Sequence, residues 1–165
     1  MNFSEADIKE MADMLGSGHH VCYANLDTGE VEIIFDNEML DIFGISWDED
    51  EDEENMADES TPECQDELYT EVKAQMKRID SWEHLTRIEK PSSYEAFKFM
   101  ERFVDEVIPE GKLKEQFWKA LSRKHPFQGF NSIIHNCEYR EAWFAFRQEA
   151  LEEYVKRELG GEFIK

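Results

Sequence analysis

Seven consecutive carboxylates, Asp48-Glu49-Asp50-Glu51-Asp52-Glu53-Glu54, interrupt this chain and limit what it can fold into. Like charges packed that closely repel one another and favour an extended, solvated segment. No sheet or helix core can run through them, so the elements on either side must be built separately and joined by a loop. The bias extends well beyond the run. Residues 1–89 hold 26 acidic and 5 basic side chains, which is the whole net charge of −21, whereas residues 90–165 hold 13 of each. Such an excess rules out a protein that coats nucleic acid with its entire surface.

The rest of the chain has the means to form a core. It has 165 residues, 41% of them hydrophobic and 13% aromatic. A domain of about that size buries roughly 68–70% of its unfolded surface, enough to fold without disulfides or metal. We expect one domain over 1–165, with a helix-plus-hairpin portion at 1–45, an acidic mobile loop at 46–60 and a mainly helical portion at 61–165. No apolar run reaches the length of a membrane span. The opening Met1-Asn2-Phe3-Ser4-Glu5-Ala6-Asp7 lacks the basic start and apolar stretch of an export signal. Cys22, Cys64 and Cys137 are odd in number and widely spaced, unlike a disulfide framework. The expected location is the cytoplasm.

Local signals give the elements. Ser4 is placed as an N-cap, with Phe3 and Ile8 as a hydrophobic staple. Ile8, Met11, Ala12 and Leu15 then share a helical face, and Gly16 is the expected left-handed stop. Val21–Leu26 and Val31–Phe35 are rich in β-branched and aromatic residues and flank Asp27-Thr28-Gly29-Glu30, a hairpin. Alternation puts Val31, Ile33 and Phe35 on the core face. A short helix is predicted from Asn37 to Phe43, ending at Gly44. Thr61-Pro62 starts another helix with the stripe Leu68, Val72, Met76 and Ile79. His84–Glu89 is a candidate third strand. Ser92 and Glu95 form a capping pair before the stripe Phe97, Met100, Val104 and Val107. Pro109-Glu110-Gly111 breaks that helix, and Leu113, Phe117, Ala120 and Leu121 carry the next one towards Pro126. Phe127, Phe130 and Ile134 mark a short helix. Tyr139, Trp143, Phe146, Ala150 and Tyr154 mark a long last one, closed by Gly160-Gly161. The element order is α+β: a small antiparallel sheet with an N-terminal helix, then a mostly helical C-terminal half.

Several constellations bear on chemistry. Asp48, Asp50, Asp52 and Glu59 match calcium-loop positions 1, 3, 5 and 12, but Glu53 stands where the sharp turn needs Gly. The run therefore reads as a solvated acidic surface. His19, His20 and Cys22, with His135 and Cys137, offer imidazole and thiolate ligands without any zinc spacing motif, so no metal or cofactor is expected. Nucleophile elbows and glycine-rich phosphate loops are missing. Lys119, Arg123 and Lys124 lie among Trp118, Phe127 and Phe130, a mixture that can bind single-stranded nucleic acid. The competing reading is that these cations complement the C-terminal dipole of their own helix.

Phe117 with Ala120-Leu121, Pro126-Phe127-x-x-Phe130-x-x-x-Ile134 and Arg140-x-x-Trp143-Phe144-x-Phe146-Arg147 make up a pattern. Over residues 113–159 it resembles an uncharacterised bacterial protein family. The resemblance implies a soluble bacterial protein and carries no activity, substrate or site residue with it. Taken with the charge, the expected function is that of a small acidic binding or regulatory protein without catalysis. Its partner would be a basic protein surface, met through Asp48–Glu54. Two alternatives stand beside it. One is a divalent-metal-dependent hydrolase using N-terminal carboxylates with His19 or His20. The other is nucleic-acid binding by Lys119, Arg123 and Lys124.

Overall fold

The structure, a computed structural model, describes residues 3–47 and 63–160. The acidic run, Thr61-Pro62 and Gly161 lie outside the described residues. Within them the order is α1 (Glu5–Gly16), β1 (His20–Asn25), β2 (Val31–Phe35), α2 (Asn37–Phe43), α3 (Glu63–Asp80), β3 (Leu85–Ile88), α4 (Ser93–Glu106), α5 (Lys112–Leu121), α6 (Pro126–Ile134) and α7 (Arg140–Glu158). The class is α+β, as the sequence predicts. The chain forms two compact units. The first is Met1–Lys90 with Val155–Lys165, and the second is Pro91–Tyr154.

In the first unit, α1 begins on a reciprocal cap. The Ser4 Oγ accepts from the Asp7 amide at 3.1 Å, and the Asp7 carboxylate accepts from the Ser4 amide at 3.0 Å. Phe3, Ile8, Met11, Ala12 and Leu15 are buried, so both the staple and the predicted face hold. The stop differs by two residues. Gly16 remains helical, Ser17 is the C-cap, and Gly18 takes the left-handed conformation at φ 83°. Ser4→Ala removes one arm of the cap and is expected to cost about 1 kcal/mol. The midpoint of a urea melt followed by far-ultraviolet circular dichroism reads that change.

The sheet has strand order β2-β1-β3, antiparallel throughout, with β1 in the centre. Val21 lies opposite Ile34, and Cys22 lies between Ile33 and Ile88. Val21 and Ile34 pack with Leu40, Ile45, Val72 and Met76, flanked by Tyr23, Phe35, Trp47, Leu68 and Tyr69. On the opposite face Cys22, Ala24 and Ile88 are fully buried, and Cys22 reaches the Met11 carbonyl of α1. Both faces are therefore covered. This corrects the expectation of a single core face at Val31, Ile33 and Phe35: Ile34 is the buried residue of β2, and those three are half-buried. Alternation marks one wet face and one dry face, and this sheet is covered on both.

The hairpin turn is tied down by Asn25, which is buried. Its side-chain carbonyl accepts from the Asp27 amide at 2.8 Å and the Thr28 amide at 3.3 Å. Gly29, at φ 82°, supplies the positive backbone angle that the turn needs. Asp36 caps α2 through the Met39 amide, and Gly44 ends it in the left-handed region.

The second unit is helical, with an aromatic centre. Phe103 packs edge-to-face against Phe130, Trp143 and Phe146 at ring separations of 6.3, 5.2 and 5.5 Å. Phe117 and Trp143 flank Phe130 at 5.2 and 4.8 Å. The buried stripe of α4 is Phe99, Met100, Phe103 and Val104. The predicted Phe97 and Val107 are half-buried instead. The helix is rotated so that Phe103 faces α6 and α7, where its ring meets Phe130, Trp143 and Phe146. No helix among the described residues is long and apolar enough to cross a membrane.

Candidate functional site

The structure sorts the sequence candidates by their surroundings. His20 is half-buried and stacked on Phe35 at 5.0 Å, with its Nδ1 2.9 Å from the Ser17 hydroxyl. Burial and the neighbouring His19 push its pKa down, partly offset by Asp36. His19 is exposed, one residue off that face of the strand. Cys22 is fully buried. Desolvation, with Glu10 adding to it, pushes its thiol up to about 12. A thiol held protonated is neither a ready nucleophile nor a ready metal ligand. In the other unit, Cys137 donates to the Ile134 carbonyl at 3.6 Å. His135 faces Phe144 and accepts from the Arg140 guanidinium at 3.4 Å.

A different trio comes together. Asp27, Glu83 and His84 offer oxygen and nitrogen atoms within 4.8 Å of one another. The hairpin turn and the segment before β3 bring them there, tied by the Leu26 amide donating to the His84 carbonyl at 2.8 Å. All three side chains are exposed, and His84 Nδ1 lies 3.0 Å from an Asp27 carboxylate oxygen. In sequence they are too far apart to be read as one cluster. The only signal was the turn itself, which sets Asp27 beside the start of β3.

The clearest concavity lies in the second unit, where α5 passes into α6. Lys119, Arg123 and Lys124 line it with His125, Gln116, Gln128 and Ser132, over a floor that includes Ala120 and Ile133. Its volume is about 570 Å³. The two helices approach closely because residue 129 is glycine. A Cβ there would sit 3.1 Å from the Ala120 Cβ, tighter than ordinary packing allows without a shift. The three cations named by the sequence thus converge on one cleft, and no carboxylate lines it. A second, smaller hollow of about 280 Å³ is walled by Phe127, Phe144, Trp143, His135 and Arg147, among others. Phe127 and Phe144 are 38% and 40% exposed there, whereas Phe130 and Ile134 of the same helix face are fully buried. Burial lowers the Arg147 pKa from its ordinary value.

Charge follows the two units. The first carries 28 acidic and 9 basic side chains, the second 11 and 9. Among the described residues of the first unit, Glu10, Asp13, Asp27, Glu30, Glu38, Asp41, Asp80 and Glu83 are all exposed. Within the second unit the basic cleft is a local reversal of sign.

No curated protein and no solved structure matches the chain. A family model does, over residues 55–160, from before α3 to the end of α7. The chain therefore belongs to the uncharacterised protein family UPF0158.

Proposed function

We propose that this is a small non-catalytic binding or regulatory protein whose acidic unit recognises a basic protein surface. One observation carries the reading: 19 of the 21 excess negative charges belong to one compact unit, many of them on its exposed side chains. A surface with a field of one sign steers a partner of the opposite sign and fixes its orientation. Asp48–Glu54 supplies seven of that unit's carboxylates. Cys22 supports the non-catalytic side of the reading, since its buried protonated thiol offers no nucleophile. Among the described residues, His19 and His20 are not gathered with carboxylates into a ligand set, so the metal-dependent alternative gains nothing from them.

The test is affinity capture from a nuclease-treated bacterial lysate. The baits are the native chain and a variant with Asp48, Asp50 and Asp52 changed to Asn and Glu49, Glu51, Glu53 and Glu54 changed to Gln. A stoichiometric basic protein, held by the native bait, released by rising salt and weakened on the variant, is the expected result. Recovery of no basic protein on either bait contradicts the proposal.

A further inference from the structure

We propose that the cleft between α5 and α6 is a binding site for a small organic phosphate, held by Lys119, Arg123 and Lys124. The inference is independent of the acidic unit and rests on three observations that agree.

The first is charge placement. Four of the nine cations of the second unit are held in ion pairs: Lys98 with Glu101, Arg102 with Glu153, Lys114 with Glu110, and Arg140 with Glu141. Among the described residues, none of the three cleft cations has a carboxylate at ion-pair distance. In a chain this acidic, three neighbouring cations that share one hollow without a carboxylate partner form a local positive field. Such a field favours an anion, and phosphate above other anions because it can accept from several donors at once.

The second is the backbone. The mouth of the cleft includes the start of α6, where His125 is the N-cap and makes no side-chain cap hydrogen bond. Pro126 follows at the first helical position, and Gln128 in the first turn lines the cleft. The positive end of the α6 dipole therefore adds to the three side chains.

The third is size and lining. A volume of about 570 Å³ lies within the usual range for small-molecule sites, roughly 300–1,000 Å³, and exceeds what a bare phosphate fills. Gln116, Gln128 and Ser132 supply polar contacts, while Ala120 and Ile133 give an apolar floor for the rest of the molecule. The competing account is that Lys119, Arg123 and Lys124 only offset the C-terminal dipole of α5. That account predicts a loss of stability when they are neutralised and no ligand.

The experiment uses the full chain at low ionic strength. Adenosine diphosphate, inorganic pyrophosphate and a short oligothymidylate are titrated separately and followed by amide nuclear magnetic resonance and calorimetry. Lys119→Gln/Arg123→Gln/Lys124→Gln is compared with a charge-matched control, Lys9→Gln/Lys77→Gln/Lys112→Gln, and a thermal melt reports on folding. The expected result is saturable, one-to-one binding of adenosine diphosphate and pyrophosphate, with shifts at Gln116, Gln128 and Ser132. Binding should weaken by at least about tenfold in the cleft variant and stay near native in the control, while both variants remain folded. No saturable shift with either small phosphate in the native chain overturns the proposal, as does equal weakening in both variants. Tighter binding of the oligothymidylate through the same three cations also overturns it, in favour of a nucleic-acid surface.

Discussion

Phe103→Ala is expected to lower the unfolding free energy of the second unit by about 3–5 kcal/mol, the largest loss for any single truncation we consider. Phe103 has no exposed surface and meets three other rings edge-to-face. Truncation removes its transfer free energy, leaves a cavity among rings that cannot collapse, and forfeits ring–ring terms of about 0.5–1.5 kcal/mol per pair. Phe103→Leu keeps most of the volume and should cost clearly less. Urea melts followed by far-ultraviolet circular dichroism, with near-ultraviolet ellipticity as the report on ring packing, check both. A loss below about 1 kcal/mol for the alanine variant would mean that the cluster is not the centre of that unit.

The second large effect appears in alkali. Burial raises the Cys22 thiol from 9.0 to about 12 in the folded chain. The folded state therefore holds this proton more tightly than the unfolded state does. Its contribution is fully present below pH 9.0, declines as pH rises, and is lost by about pH 12. A gap of about three units corresponds to something on the order of 4 kcal/mol. The comparison is with Cys22→Ala, which lacks the thiol and keeps every other titrating group. At neutral pH the variant should be the less stable, because it leaves a small void against Met11. The native chain's advantage should then shrink as the solution is taken above pH 9.0. Parallel stability curves for the two proteins across that range would contradict a buried, protonated Cys22.

The sequence was most legible where the signal is local. The Ser4 cap, α2 between Asp36 and Gly44, the hairpin, and the third strand before Ser92 depend on residues a few positions apart, and the structure places them within a residue or two. It was least legible where packing decides. Ile34 is buried because helices cover both faces of the sheet, which period-two alternation along one strand does not report. Phe103 is central, and Phe127 lies at the rim of a hollow, because α4 turns its ring towards Phe130 and Trp143. Their spacing alone allowed the reverse. The Asp27–Glu83–His84 trio depends on a long-range pairing of β1 with β3. The basic cleft is an intermediate case. Its cations were evident as a cluster, whereas the cavity that gathers them depends on Gly129 letting α6 settle against Ala120.

We propose that charge on the acidic unit selects the partner. The most direct measurement is the equilibrium affinity for the captured basic protein across a series of salt concentrations. It is made for the native chain and for the variant neutralised at Asp48–Glu54. The account predicts that native affinity falls steadily as salt rises, and that the variant binds more weakly with a shallower dependence. An affinity that ignores salt, or one identical for the two proteins at every concentration, would contradict it.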